Sequence, residues 1–300
     1  MTILIEQFGE NRLQTKVLVL GSTGMLGHQI VNYFHTLKEY DVHDVSYRNQ
    51  LRSKTKIIDV HQFNKLEKLV DKIQPSIIIN CIGILIEGSE KSYAKATYIN
   101  SNFPHLLSKL CYQINAKLIH ISTDCVFSGN QGSYTERDIP DSDTIYGKTK
   151  FAGEIIDKNN VTLRTSIIGP ELKSNGQGLL DWFLKEKNNE IDGYINAIWT
   201  GVTTLELSKI IKIIIDKKIT GLYHISNNNK ISKYKLLKIF NNNINQRFII
   251  NKNETIMNDK SLIDTRNELG YVIPSYNDMI ASMFTNIFEN ADKYKHYDIF

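Results

Sequence analysis

Tyr146 and Lys150 stand four residues apart in Tyr146-Gly-Lys-Thr-Lys150, a spacing that brings two side chains to one face of a helix. A phenol beside an ammonium is eased toward its ionised form, which suits it to exchange a proton with a carbonyl oxygen. Upstream, Ser122-Thr123-Asp124-Cys125 closes an apolar run. In an extended backbone residues two apart share a face, so the Thr123 hydroxyl and the Cys125 thiol are expected to look into one cleft. Thr123 would hydrogen-bond the carbonyl while Tyr146 protonates it and Lys150 holds the phenol's pKa down.

A partner for that carbonyl is encoded near the start of the chain. Gly21-Ser22-Thr23-Gly24-Met25-Leu26-Gly27 follows the apolar run 16–20 and precedes apolar residues at helical spacing, the strand, turn and helix that cradle a phosphate on backbone N–H groups. Gly21 permits the turn, Gly24 admits a pyrophosphate and Gly27 lets the helix pack on the sheet, with Thr23, Met25 and Leu26 completing the loop. A carboxylate about 20 residues on would take the ribose hydroxyls of NADH, whereas an arginine there would accept the 2′-phosphate of NADPH. Asp44 falls within the next strand and Arg48 just beyond it. The expectation is NADPH on Arg48, with NADH the alternative, and the reaction is hydride transfer to or from a carbonyl.

The elements that must position these groups alternate. Apolar runs at 16–20, 42–47, 56–59, 76–82, 117–122 and 161–165 read as strands, and helical spacing appears at 25–37, 62–73 and 146–157. This rhythm predicts an α/β protein with a Rossmann-like, doubly wound parallel sheet. After Pro170 the rhythm breaks. Residues 171–196 read as a cap over the sheet's carboxyl edge around an apolar helical patch at 179–184. A helix at 203–216 and a strand at 221–226 return to the sheet. The organisation expected is an N-terminal extension (1–15), a dinucleotide-binding domain (16–170, rejoined at about 197–226) and a smaller α/β substrate lobe (171–196 and 227–300) of helices and loops.

Composition narrows the class. Three hundred residues with a net charge of +4 suffice for a large core, and the lysines are dispersed among carboxylates, so no nucleic-acid stripe is present. Cys81, Cys111 and Cys125 form no CxxC pair and no metal-ligand spacing, which points to a reducing, cytoplasmic setting without a disulfide framework or a metal. No apolar run approaches the length of a membrane span.

The stretch from His120 to Gly153, with LRTSIIGP after it and GLYHISN later, resembles the extended short-chain dehydrogenase/reductase superfamily. Within it the chain is most similar to the dTDP-4-dehydrorhamnose reductase branch, especially the capsule and O-antigen reductases of UDP-linked N-acetyl-6-deoxyhexosamines. The resemblance implies a nucleotide-sugar substrate, reduction of a 4-keto-6-deoxy sugar by the Thr/Tyr/Lys set, and a homodimer, for which the helix near 101–113 is available. It also implies an adenine contact at Asp59-Val60, a Cys81-Ile82-Gly83 loop bordering ribose and nicotinamide, and a site-supporting Asn100. Cys125 stands where dehydratases of the superfamily carry Glu. A cysteine there resembles GDP-fucose synthase and the bifunctional 3,5-epimerase/4-reductases, which implies proton transfer at C3. GDP-fucose synthase adds a histidine after the Gly-Pro turn. This chain has none between His120 and His224, which leaves Lys173, Lys185 or Asp181 as the second proton-transfer group.

For the nucleotide and sugar, Trp199 and Thr200 offer an aromatic face and a hydroxyl, and Arg266 offers a fork for a diphosphate. Two alternatives stand beside the reductase: a non-catalytic NADPH-binding regulatory subunit, for which an intact Thr123, Tyr146 and Lys150 are unneeded, and a sugar 4-epimerase that retains NAD.

Overall fold

The computed structural model describes residues 14–299, so the extension expected at 1–15 lies almost wholly outside the described residues. Strands β1 (Thr15–Leu20), β2 (Tyr40–Ser46), β3 (Lys56–Ile57), β4 (Ile77–Asn80), β5 (Lys117–Ile121) and β6 (Val161–Thr165) are interleaved with helices α1 (Gly27–His35), α2 (Phe63–Ile73), α3 (Ile86–Lys91), α4 (Tyr93–Ala96), α5 (Phe103–Gln113) and α6 (Ile145–Ala152). There follow β7 (Ile167–Ile168), α7 (Leu179–Lys185), β8 (Glu190–Trp199), β9 (Val202–Thr203), α8 (Thr204–Asp216), β10 (Gly221–Ile225), β11 (Ile231–Ser232), α9 (Lys233–Asn242), β12 (Ile249–Asp259) and α10 (Tyr276–Glu289).

Seven strands form one sheet in the order β3-β2-β1-β4-β5-β6-β10, every pair parallel. Alternation along β1 shows why the sheet must be covered twice. Leu18 and Leu20 pack with Val70, Phe103 and Leu107 of α2 and α5, whereas Val17 and Val19 pack with Phe34, Ile210 and Ile214 of α1 and α8. A strand segment buried on both faces tends to be apolar at every position, which is how residues 17–20 of β1 read. The strand order reverses between β1 and β4, opening a crevice at their carboxyl ends where such sheets take ligands. Among the described residues no helix is long and apolar enough to cross a membrane.

Two differences from the sequence reading bear on the site. The helix expected over 146–157 stops at Ala152, because Glu154 is drawn into the core by Arg164, its two oxygens each 2.8 Å from a guanidinium nitrogen. The smaller lobe also holds a sheet that the sequence hid, with order β11-β8-β12. Its outer strand β12 is largely exposed on both faces and therefore lacks an apolar alternation. The lobe is clamped to the loop after β5: the Asp259 N–H donates to the Gly129 carbonyl at 2.9 Å, and the Tyr134 N–H to the Ser261 carbonyl at 2.8 Å.

Candidate active site

The glycine turn is built as a cradle. Gly21 has φ of +82°, and its N–H donates to the Val45 carbonyl at 2.9 Å. A Cβ on Gly27 would lie 2.2 Å from the Gly21 carbonyl oxygen, so only glycine lets α1 start this close to the turn. The first turn of α1 carries no acidic residue, which leaves its positive end unopposed. The buried Ser22 hydroxyl has no partner among the described residues. Ile82 rests against Gly21, bringing the Cys81-Ile82-Gly83 loop beside the cradle. The Met25 N–H, unspent among the described residues, an unopposed helix dipole and an orphaned hydroxyl fit a diphosphate.

Asn100 lies in a π-helical turn, 97–102, and bridges both sides of the crevice. Its Oδ1 accepts from the Ile84 N–H at 2.9 Å, and its Nδ2 donates to the Ile84 carbonyl at 3.0 Å and to Thr149 at 3.2 Å. Asp59 binds its own neighbourhood, its Oδ1 accepting from the His61 N–H and ring. Val60 is buried, and its carbonyl accepts from the Tyr98 hydroxyl at 3.0 Å.

Beyond β2, Asp44 lies within the strand. Its Oδ1 is 2.6 Å from Arg52 Nε and its side chain is fully buried, so it is not available to ribose hydroxyls. Arg48 is exposed and stacks on Tyr47 with its guanidinium 4.7 Å from the ring centre.

Thr123, Cys125, Tyr146 and Lys150 gather at the ends of β5 and α6. Thr123 remains extended, but the chain turns at once into a single 3₁₀ turn over 124–126. This corrects the extended spacing assumed between Thr123 and Cys125. The turn forms because the Thr123 hydroxyl accepts from the Cys125 N–H at 3.1 Å and donates to Asp124 Oδ1 at 3.1 Å. A Cβ on Gly147 would meet the Cys125 carbonyl at 2.2 Å, so this glycine lets α6 press against the turn and sets Tyr146 beside it. Burial raises the Tyr146 phenol above its usual range; Cys125 and Asp124 add to the push, and the Thr123 hydroxyl, within hydrogen-bonding reach, opposes it.

Lys150 does not lower the phenol as expected. Its Nζ donates to the Ile121 carbonyl at 2.7 Å, and burial depresses it to about 8, opposed by Glu154 and Cys81. Tyr146 therefore holds its proton at neutral pH and stands as an acid. The Cys125 thiol is pushed by burial to about 12, with Asp124 reinforcing the shift, which denies it the thiolate a base requires.

Sequence reasoning missed the charges around this turn. Asp124 is raised by burial, against the pull of Lys260 and Lys233, so two cations from the smaller lobe look onto the Thr123–Cys125 turn. Ser122 donates to Glu154 at 2.7 Å, tying the turn to the buried Glu154–Arg164 pair. The motif Ser122-Thr123-Asp124 contained two of these residues; nothing near Lys233 or Lys260 in the chain marks them.

The residues proposed for the nucleotide and sugar are not brought to this cluster. Trp199 is 3% exposed and packs on Tyr276 at 5.6 Å, a core residue of the smaller lobe. The buried Thr200 hydroxyl is spent on the Leu262 N–H at 2.8 Å. Arg266 donates to the Thr220 and Leu222 carbonyls at 2.7 and 2.8 Å and pairs with Glu268. These carbonyls mark the amino end of β10, opposite the catalytic edge, which removes Arg266 as a diphosphate ligand. Lys173 is exposed in the loop after Pro170. Lys185 and Asp181 are ion-paired to each other, leaving neither free to shuttle a proton.

Sheet order, glycine cradle and the Thr/Tyr/Lys cluster together define a short-chain dehydrogenase/reductase type of Rossmann scaffold. The model of the RmlD substrate binding domain matches residues 15–258, and the chain belongs to that family. It is 27% identical over 236 residues to methionine adenosyltransferase 2 subunit beta of Mus musculus, covering 74% of this chain and 70% of that one. It is 25% identical over 251 residues to dTDP-4-dehydrorhamnose reductase of Aggregatibacter actinomycetemcomitans, covering 79% and 82%. Among solved structures, dTDP-4-dehydrorhamnose reductase of Bacillus anthracis in complex with NADP superposes with a TM-score of 0.80 at 22% identity, covering 91% of this chain and all of that one.

Proposed function

We propose that the protein is an NADPH-dependent reductase of a nucleotide-linked 4-keto-6-deoxyhexose, carried by UDP or dTDP and of the 2-acetamido series that the stretch His120–Gly153 resembles. The observation that carries the reading is the placement of Tyr146 against the Thr123–Cys125 turn, through the close approach of Gly147, on the sheet edge that also opens the β1/β4 crevice and its glycine cradle. When bound there, the reduced nicotinamide supplies a hydride to C4. Thr123 orients the ketone oxygen and Tyr146 gives it a proton, while Lys150, one turn along the same helix and held on the Ile121 carbonyl, adds positive charge to the site in which the ketone takes hydride and proton. NADPH rather than NADH is supported by the sequestration of Asp44 by Arg52 and by the exposed Arg48. A protonated Cys125 argues for reduction without prior epimerisation at C3.

The test is to mix the protein with NADPH and a freshly made UDP-4-keto-6-deoxy-N-acetylhexosamine, or its dTDP 4-keto-6-deoxyhexose counterpart, and follow NADPH. Consumption with either, and identification of the product by NMR, supports the reading; no consumption with both defeats it.

The similarity to a methionine adenosyltransferase subunit favours one second reading, a nucleotide-binding subunit without turnover. That reading requires tight NADPH binding, no keto-sugar reduction and co-purification of a partner enzyme.

A further inference from the structure

We infer that the segment following α10 is part of the dinucleotide site: Tyr294 orients His28, and His28 holds the Gly24 carbonyl so that the Met25 N–H is presented to the diphosphate of NADPH. The inference rests on the cofactor reading above and adds to it residues that no motif in the chain announces.

His28 Nδ1 lies 2.8 Å from the Gly24 carbonyl oxygen, and Nε2 lies 2.8 Å from the Tyr294 hydroxyl. A carbonyl can only accept, so Nδ1 carries the proton and Nε2 of the neutral ring is an acceptor. Two donors lie within reach of Nε2, the Tyr294 hydroxyl at 2.8 Å and the Gln29 amide at 3.1 Å, and the nearer hydroxyl donates to it. It is free to do so because its own lone pair is served by Gln29 Nε2, at 2.9 Å. Burial depresses His28 to about 4, which keeps the ring neutral and the assignment single.

The consequence falls on the cradle. The Gly24–Met25 peptide is planar, and its N–H points opposite to its carbonyl. With the carbonyl bound by both the backbone and the ring of His28, the peptide cannot rotate. The Met25 N–H makes no hydrogen bond among the described residues. A backbone donor held in place and unspent, in a turn at the positive end of a helix, is a preformed anion contact.

The same tail braces the opposite wall. Tyr297, stacked with Tyr294 at 6.3 Å, accepts from the Glu171 N–H at 2.8 Å. The Glu171 carboxylate in turn accepts from the N–H groups of Gln177 and Gly178 at 2.9 and 2.7 Å. A Cβ on Gly178 would lie 3.3 Å from Met25 Sδ, so this loop touches the cradle. One buried segment holds both.

Tyr294→Phe removes the nearer donor to the ring and leaves only the Gln29 amide, 3.1 Å away, which itself loses the hydroxyl that anchors it. The imidazole then gains freedom to take the other tautomer and turn a bare lone pair on the Gly24 carbonyl. Fluorescence titration of the full chain with NADPH, without sugar, is expected to show Kd raised about tenfold, the cost of one buried hydrogen bond. Adding His28→Asn to that variant should restore Kd to within about threefold of wild type, because an amide nitrogen reaches Gly24 and has no tautomer to lose. A purely structural role for Tyr294 predicts no such rescue. If Tyr294→Phe does not fold, His28→Gln reads the same link, since it keeps Tyr294 company and gives up Gly24; it should weaken NADPH about tenfold. Unchanged affinity in the Tyr294→Phe chain, or in His28→Gln where that is read, overturns the inference, as does a double variant no better than the single one. A wild-type chain that binds no NADPH removes the cofactor reading and this inference together, whereas normal wild-type binding with an unaffected Tyr294→Phe removes the inference alone.

Discussion

Lys150 is placed where its charge is costly, and the cost is measurable. The residue is 4% exposed, and burial brings its pKa from 10.5 to about 8. The folded state therefore binds this proton less readily than the unfolded chain does. Between pH 8 and 10.5 the unfolded chain holds the proton and the folded one does not, so stability rises with pH across that window. Below pH 8 both forms are protonated and the full penalty applies, about 3 kcal/mol for a shift of this size. Lys150→Met abolishes the penalty but also forfeits the hydrogen bond to the Ile121 carbonyl, worth roughly 1 kcal/mol. The variant should consequently be about 2 kcal/mol more stable than wild type at pH 7, and the gap should close toward pH 10.5. It should also fail to reduce any keto-sugar, so the same substitution gains stability and loses function. Urea unfolding at a series of pH values, each variant against wild type, isolates Lys150 from the tyrosines that titrate nearby. A Lys150→Met chain less stable than wild type at pH 7, or one whose difference from wild type does not vary with pH, would refute the assignment of a desolvated ammonium to this position.

Three further outcomes separate the parts of the reading. Tyr146→Phe should lower kcat by about 10² to 10⁴-fold while leaving NADPH titration as in wild type; a smaller loss in kcat would take the proton-donor role from the phenol. Turnover in deuterated water should leave C3 of the product unlabelled, and Cys125→Ser should not alter the labelling; label at C3 that disappears in Cys125→Ser would reinstate the epimerase step. Arg266→Gln should cost about 1–3 kcal/mol in unfolding free energy, through the Thr220 and Leu222 carbonyls, with no change in KM for the keto-sugar. A raised KM would return Arg266 to the substrate.

What could be read from the chain divides along physical lines. The strand Val161–Thr165 was legible to the residue because Val161, Thr162 and Thr165 are β-branched and flank Leu163, residue types that favour an extended backbone. The glycine turn and the Tyr146/Lys150 pair were legible because their geometry is set within one or two turns of chain. By contrast the buried positions of β8 are Ile191, Gly193, Ala197 and Trp199, two of them too small to mark an apolar face, and β12 buries none fully, so their sheet left little periodic trace. Trp199 and Thr200 were misplaced for a different reason. An aromatic ring that packs on a sugar and one that packs on Tyr276 are the same residue type, and only tertiary context separates them. Arg266 failed on direction: nothing in Asp264-Thr265-Arg266 says which edge of the sheet the segment meets.

The two halves of the site therefore differ in how they are specified, and this bears on substrate choice. The reacting groups Thr123, Tyr146 and Lys150 come from β5 and α6 and are positioned by local devices: the Thr123 cap, the Gly147 approach and the Ser122–Glu154–Arg164 tie. The face opposite them is supplied by Lys233 and Lys260, whose charges reach Asp124 across the lobe boundary. Burial alone would drive Asp124 toward its neutral form, and a neutral Asp124 would add less to the upward push on Cys125 and Tyr146. The lobe's lysines hold it toward the carboxylate, and Lys260 also acts on the thiol directly, lowering it against the push of Asp124. A lobe that differed at these two positions would alter the proton inventory of an otherwise unchanged catalytic edge. The smaller lobe in this way sets the acid character of the site as well as its shape, without contributing any of the three reacting groups.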